Sequence, residues 1–181
     1  MEKYYELRID NLTRQLPLIK LNDELAIASF VLLGDAELTH YAAERLAQKI
    51  DFEFDYLVTM ESKGIPLAQE MCHFLNKPRY VVLRKSIKDY MHAPLSVPVS
   101  AITTSAQQKL VIDGNDAALL KGKKVVIIDD VISSGGSIAA AAKLLHKAEA
   151  DVVDRFAILA EGSAAKRKDI QFLEELPLFK L

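Results

Sequence analysis

The sequence is poor in cysteine and has no surplus of basic residues. Cys72 is its one cysteine among 181 residues, so an internal disulfide and a cysteine-based zinc site are excluded, and a reducing compartment is indicated. Lysine and arginine number 23 against 25 aspartate and glutamate residues, which gives a formal net charge of -2. Nucleic-acid-binding proteins normally carry a basic surplus, so we expect no nucleic-acid partner.

Long apolar runs are absent as well. The longest, Leu25 to Leu33, is interrupted by Ser29 and is much shorter than the roughly 18 residues that a membrane-spanning helix needs. The first residues, MEKYYE, contain no apolar stretch typical of a secretory signal peptide. We therefore expect a cytoplasmic protein with no membrane association. The length and the hydrophobic fraction of 50% predict one domain over residues 1–181.

Short runs rich in valine and isoleucine recur along the chain, and helical patterns lie between them. The predicted strands are Tyr56–Met60, Tyr80–Leu83, Lys109–Ile112, Lys124–Ile128 and Val152–Ala160. Runs that are apolar on both faces are typical of strands in a parallel sheet. One helical face contains Leu38, Tyr41, Ala42, Leu46 and Ile50, another contains Ile138, Ala141, Ala142, Leu145 and Ala148, and a third helix is predicted over 65–75. This alternation predicts an α/β fold, with helices flanking a central, mainly parallel sheet.

Two segments depart from the alternation of strands and helices. Residues 1–33 precede the first clear strand, and we expect them to form a small cap or hood. Residues 85–107 include Pro94 and Pro98, many small polar residues and no helical pattern. A long irregular segment of this kind within an α/β domain is often a functional flap.

The most informative stretch is VVIIDDVISSGGS, residues 125–137. Its four apolar residues predict a buried strand, and Asp129 and Asp130 follow at the carboxyl end, where open α/β sheets bind ligands. The next small residues, Ser133, Ser134, Gly135, Gly136 and Ser137, supply amides, hydroxyls and a helix N-terminus that suit a phosphate. The carboxylates suit ribose hydroxyls or hydrated magnesium. A sugar phosphate explains both groups, although acidic N-caps are also common in ordinary strand–helix loops.

This stretch resembles the phosphoribosyl pyrophosphate (PRPP) signature of type I phosphoribosyltransferases. Residues 58–66, VTMESKGIP, are similar to the pyrophosphate loop of the adenine and xanthine phosphoribosyltransferases. The resemblance implies the type I fold, with residues 1–33 as hood and 85–107 as mobile flap. It also implies that pyrophosphate is bound by Ser62, Lys63, Gly64, Arg84, Lys85 and Lys88.

The resemblance implies transfer of the 5-phosphoribosyl group of PRPP to a purine base, with release of pyrophosphate. Asp129 and Asp130 would be the catalytic pair, since they would hold the ribose hydroxyls and stabilise positive charge as the bond to pyrophosphate breaks. Mg²⁺ would arrive bound to PRPP, without direct protein ligands, and the family suggests a homodimer. Glu161, beyond the last predicted strand, and Phe30 are candidates for base binding, although Phe30 also suits a core position.

One stretch leaves alternatives open. Residues 99–107, VSAITTSAQ, contain no carboxylate, whereas adenine phosphoribosyltransferases typically carry a glutamate in the flap. This stretch is more similar to the flap of xanthine phosphoribosyltransferases, or of the purine repressor, which binds PRPP without catalysis. An adenine-like enzyme is the leading interpretation. The alternatives are a xanthine or hypoxanthine phosphoribosyltransferase, a non-catalytic PRPP-sensing regulator and a magnesium-dependent hydrolase that uses the two aspartates.

Overall fold

The computed structural model describes residues 3–99 and 108–181. Its strands are β1 (Tyr4–Ile9), β2 (Leu12–Lys20), β3 (Leu25–Ala28), β4 (Tyr56–Met60), β5 (Tyr80–Leu83), β6 (Leu95–Pro98), β7 (Lys109–Ile112), β8 (Lys124–Ile132), β9 (Asp151–Glu161), β10 (Gln171–Leu176) and β11 (Leu178–Lys180). Its helices are α1 (Ala36–Ala47), α2 (Gly64–Phe74), α3 (Gly114–Leu120) and α4 (Gly136–Lys147), with a 3₁₀ turn over Gly162–Lys166.

A five-stranded sheet in the order β10-β9-β8-β4-β5 forms the centre of the fold. All four strand pairings in it are parallel, so the predicted α/β fold with a mainly parallel sheet is confirmed. Helices α1 and α2 cover one face, and α4 covers the other together with β6 and β7. The two faces bury separate apolar clusters, and burial of apolar surface is the main force holding such layers together.

Strand β8 is longer than predicted. The sequence indicated an end at Ile128, but β8 stays paired with β9 through Asp129↔Ala157 and Ile132↔Ala160. The two aspartates are therefore residues of the strand and do not lie in the loop after it. Both lie near its carboxyl end, with Asp130 buried and Asp129 partly exposed.

One predicted strand lies outside the parallel sheet. Lys109–Ile112 is a strand, but it pairs antiparallel with Leu95–Pro98 in a separate two-stranded sheet, which a bridge between Val111 and Arg84 ties to the end of β5. The fifth parallel strand is β10, Gln171–Leu176. Its sequence, QFLEEL, lacks the apolar run of the inner strands because it lies at the sheet edge, where charged side chains reach solvent.

The helices agree closely with the predicted patterns. Helix α2 spans Gly64–Phe74 against a prediction of 65–75, and α1 ends at Ala47, one turn before Ile50. The start of α1 is fixed by Asp35, whose carboxylate accepts a hydrogen bond from the Leu38 amide at 3.0 Å. Arg14 of β2 donates to the same carboxylate at 2.6 Å and thereby joins the N-terminal sheet to this helix.

Residues of the predicted hood form an antiparallel sheet, in the order β1-β2-β3-β11. The chain returns to this sheet through β11, which pairs with β3. Within the predicted flap, β6 and the residues before it are described, whereas 100–107 lie outside the described residues. None of the helices in the described part of the chain is both long and apolar enough to cross a membrane.

The central position of β8 predicts a strong dependence of stability on its apolar side chains. Ile127 is fully buried, whereas Ile87 is 52% exposed. We expect Ile127→Ala to lower the free energy of unfolding by about 2–5 kcal/mol, because it removes buried methyl groups and leaves a cavity. Ile87→Ala should change it by no more than about 0.5 kcal/mol. Urea unfolding followed by circular dichroism measures both, and similar losses for the two variants would contradict this fold.

Candidate functional site

A cleft of about 470 Å³ lies at the carboxyl ends of the inner strands. It is bounded by the ends of β4, β8 and β9 and by the segment that follows β3 in the N-terminal sheet. Its lining residues are Ile27, Ala28, Ser29, Phe30, Val31, Met60, Glu61, Ser62, Lys63, Lys85, Leu110, Asp129, Asp130, Val131, Ser133, Ser137, Glu161 and Leu176. Ligands of open parallel sheets bind at this end, so the cleft is the candidate active site.

Two adjacent carboxyl groups form the floor of the cleft. Asp130 is only 4% exposed, and its backbone amide donates to Oδ1 of Asp129 at 2.9 Å. The pKa of Asp129 is raised well above its ordinary value, mainly because its carboxyl is buried and also because the Asp130 carboxyl lies beside it. Oδ2 of Asp130 is buried and accepts no hydrogen bond from the described residues. Such an oxygen is suited to a hydroxyl donor of a ligand.

Lys63 supplies the positive charge beside the acidic pair. Its ammonium Nζ forms an ion pair with Oδ2 of Asp130 at 3.1 Å, although the contact lacks the alignment of a hydrogen bond. The same Nζ donates to the carbonyl of Phe30 at 3.4 Å. The side chain remains 42% exposed, so it is also accessible to an anion in the cleft. Lys63 thus connects the turn after β4, the acidic pair and the segment after β3.

Gly64 allows the turn of residues 62–64 to lie against the acidic pair. A Cβ atom at this position would overlap Oγ1 of Thr59 and would lie 3.4 Å from both the Cα and Oδ1 of Asp129. Any larger residue would therefore push α2 away from β4 and β8. The structure brings Ser62, Lys63 and Gly64 close to the two aspartates.

The small-residue loop after β8 encloses a second, smaller cavity of about 60 Å³. It is lined by Asp129, Val131, Ile132, Ser133, Ser134, Gly135, Gly136, Ser137 and Ile138, so all five predicted phosphate-binding residues contribute. Gly135 adopts the left-handed conformation, with φ of 81°, and as the N-cap residue of α4 it has no side chain that could cap the helix. The first amides of α4 are therefore available to an anionic ligand.

The remaining predicted cations have different surroundings. Lys85 lines the main cleft, whereas Arg84 and Lys88 do not. Arg84 donates to Oε2 of Glu61 at 3.3 Å, and the Lys85 amide donates to the same oxygen at 3.0 Å. The pKa of Glu61 lies below its ordinary value, mainly because of the hydrogen bond from the Lys85 amide. The positive charges of Arg84 and Lys88 lower it further. Lys88 itself donates to the hydroxyl of Ser86.

Sequence reasoning missed two charged residues at this end of the sheet. Glu61 was quoted within the pyrophosphate-loop motif, but its pairing with Arg84 depends on two parallel strands ending side by side. Arg167 places its guanidinium against Gly135 of the small-residue loop, and it donates through Nε and Nη2 to Asp169. No pattern in the sequence indicated this contact, because the 3₁₀ turn before Arg167 creates it.

The two candidates for base binding both line the cleft. Phe30 is 6% exposed and packs in the cluster between the N-terminal sheet and α1, so most of its ring is a core group. Glu161 ends β9 and is half-buried, and burial raises the pKa of its carboxyl while the positive charge of Lys63 acts in the opposite direction. Within 3–99 and 108–181, no cluster of three or more histidine, cysteine, aspartate or glutamate side chains forms a metal site.

The phosphoribosyl transferase domain model matches residues 33–176, so the chain belongs to the phosphoribosyltransferase family. No curated protein matches its sequence. Its structure is similar to the adenine phosphoribosyltransferase of Thermoanaerobacter pseudethanolicus, with a TM-score of 0.65 and 26% identity over 80% of this chain and 84% of that chain.

Two further adenine phosphoribosyltransferases share the fold at lower sequence identity. The protein from Rhodothermus marinus has a TM-score of 0.65 and 19% identity, over 96% of this chain and 94% of that chain. The protein from Saccharomyces cerevisiae, solved with an imino-altritol bisphosphate and adenine, has a TM-score of 0.62 and 18% identity, over 94% and 92% of the two chains. The predicted type I phosphoribosyltransferase fold is thereby confirmed.

The raised pKa of Asp129 predicts a variant that is more stable than the natural chain. Ionising this carboxyl destabilises the fold as the pH rises above the ordinary aspartate value of about 4. We expect Asp129→Asn to raise Tm at pH 7 by about 2 °C or more, with a gain that shrinks as the pH falls toward 4. Differential scanning calorimetry measures this, with Asp151→Asn at the exposed start of β9 as the matched control. A lower Tm for Asp129→Asn at pH 7 would contradict the electrostatic argument.

Proposed function

We propose that this chain transfers the 5-phosphoribosyl group of PRPP to a purine base, with adenine as the preferred base, and releases pyrophosphate. The observation that carries the proposal is the carboxylate pair of β8, with Asp130 buried and Asp129 partly exposed, beside a helix N-terminus whose N-cap residue is a glycine. A phosphate loop next to two carboxylates repels a simple polyanion, but it suits a sugar phosphate, because the sugar hydroxyls donate to the carboxylates.

In this proposal the two cavities hold different parts of one ligand. The loop of residues 133–137 binds the 5-phosphate through its amides and hydroxyls. Asp130 accepts a hydrogen bond from a ribose hydroxyl at its buried Oδ2, which accepts no hydrogen bond from the described residues, and Asp129 accepts from the neighbouring hydroxyl. The negative charge of this pair also stabilises the positive charge that develops on the ribose as the bond to pyrophosphate breaks.

The leaving pyrophosphate belongs on the side of β4. Lys63 and Lys85 are the two cations that line the cleft there, and the turn of residues 62–64 adds backbone amides. Their positive charge stabilises the negative charge that builds up on the departing group. Arg84 forms an ion pair with Glu61 at 3.3 Å. In this proposal it therefore acts by holding Glu61, which lines the cleft.

Magnesium fits this site as part of the substrate. The two aspartates are too few to form a complete protein site, and Mg²⁺ commonly takes one or two carboxylates together with waters and substrate phosphates. The ion bound to the pyrophosphate of PRPP would neutralise part of its charge. The chain's own contribution is then to fix the ribose and the phosphates relative to the incoming base.

Adenine is the base that the comparisons favour. The similar proteins from three organisms are adenine phosphoribosyltransferases, one of them solved with adenine bound. Xanthine and hypoxanthine are the alternative bases, because residues 99–107 contain no carboxylate. A regulator that binds PRPP without turnover is the second candidate function, on the same observation. We also expect a homodimer, as the resemblance to the family implies, and a cytoplasmic location, as the sequence indicated.

Turnover assays test the proposal directly. We expect pyrophosphate release when the chain is incubated with Mg²⁺, PRPP and adenine, at a higher kcat/KM than with guanine, hypoxanthine or xanthine. Asp130→Asn should lower kcat by about 100-fold or more, because it removes a charge that stabilises the transition state. Asp151→Asn, at an exposed position, should leave kcat unchanged.

Each outcome separates the candidate functions. PRPP binding in a calorimeter without turnover of any of the four bases would favour the regulator. Turnover that persists in Asp130→Asn at the natural rate would show that the acidic pair is not the ribose site. Phosphate release from PRPP in the absence of any base would favour a hydrolase instead.

A further inference from the structure

The order of strands in the sheet indicates where the leaving pyrophosphate and the incoming base lie relative to the ribose. The turn of residues 62–64 follows β4, the acidic pair lies in β8, and Glu161 ends β9. Since the sheet order is β9-β8-β4, the ribose position lies between the cationic turn and Glu161. A base that displaces pyrophosphate in line must approach the ribose carbon from the side opposite the leaving group. The base therefore belongs on the β9 side of the cleft, if the proposed function holds.

Glu161 is a charged side chain on this side of the cleft. It lines the cleft together with the apolar residues Val31, Val131 and Leu176. Among the described residues, none donates a hydrogen bond to its carboxyl or forms an ion pair with it. The nearby ammonium of Lys63 is engaged by Asp130 and by the Phe30 carbonyl. A half-buried carboxyl that accepts no hydrogen bond from the described residues can accept one from a ligand.

We propose that Glu161 determines base specificity by accepting a hydrogen bond from the 6-amino group of the purine. An adenine ring bound beside Glu161 would offer this amino group as a donor. Hypoxanthine presents a carbonyl oxygen at the same position, where two acceptors would face each other in a partly desolvated site. A site that leaves polar groups unpaired rejects the wrong ligand more strongly than one that merely loses a contact. The inference rests on the proposed function and adds the residue that selects the base.

Equilibrium binding of nucleoside monophosphates tests this role without requiring turnover. AMP and IMP differ in the ring only at the 6-position and its neighbouring nitrogen, and both carry the ribose phosphate that the loop and the acidic pair would hold. We expect the natural chain to bind AMP at least about tenfold more tightly than IMP in isothermal titration calorimetry. In Glu161→Gln, whose amide both donates and accepts, this ratio should fall to within about threefold. Glu175→Gln, at an exposed position of β10, is the matched control and should keep the natural ratio.

A kinetic arm distinguishes a specificity role from a general structural one. In Glu161→Gln, the KM for adenine should rise while the KM for PRPP changes by less than about twofold, because the acidic pair and the loop are intact. A parallel loss of PRPP affinity would indicate a structural role and overturn the proposal.

The remaining outcomes are equally decisive. An unchanged ratio of AMP to IMP affinity in Glu161→Gln would overturn the assignment, and so would a selective loss of GMP binding, which would place the carboxyl at the 2-amino group. If the chain shows the expected change in this ratio but turns over no base, the specificity role stands and the proposed catalytic function fails. If the natural chain binds none of the three nucleotides, both fail.

Discussion

Two adjacent carboxyl groups in the central strand of a parallel sheet are the constraint on which the rest of the site depends. Burial and mutual repulsion make this pair costly, and the high pKa of Asp129 reflects that cost. The surrounding structure offsets it with one ammonium group, that of Lys63, at 3.1 Å from Asp130. Gly64 is required in the same turn, since only a residue without a side chain lets α2 approach the strands closely enough. A stretch that destabilises the fold in this way is typical of a functional site.

The charged groups at the carboxyl end of the sheet differ from one strand to the next. Lys63 and Lys85 follow β4 and β5, the acidic pair lies in β8, and Glu161 ends β9. The formal net charge of -2 for the whole chain therefore gives no indication of the local charge in the cleft. A cationic side, an acidic centre and an isolated acceptor match, in that order, a pyrophosphate, a ribose and an amino-bearing base. This order of charged groups across the sheet is the physical basis of the proposed function.

Much of the fold could be predicted because the inner strands are continuous apolar runs. Strands β4 and β5 agree with their predicted bounds, and the loop of residues 133–137 lies where its glycines and serines indicated. The edge strand β10 was missed because it carries charged residues, and Lys109–Ile112 was placed in the wrong sheet because an apolar run does not specify its partner. Two contacts could not be predicted for a similar reason: the pairing of Glu61 with Arg84, and the contact of Arg167 with Gly135. Each depends on segments distant in sequence that meet only in the folded chain.

A crystal structure of the chain with ribose 5-phosphate tests the central claim most directly. The account predicts that the phosphate lies in the loop of residues 133–137, in contact with the first amides of α4. It also predicts that the ribose hydroxyls donate to Asp129 and Asp130, with the Lys63 ammonium displaced toward the side of β4. Ribose 5-phosphate bound elsewhere, or bound in the loop with its hydroxyls turned away from both carboxylates, would contradict the account.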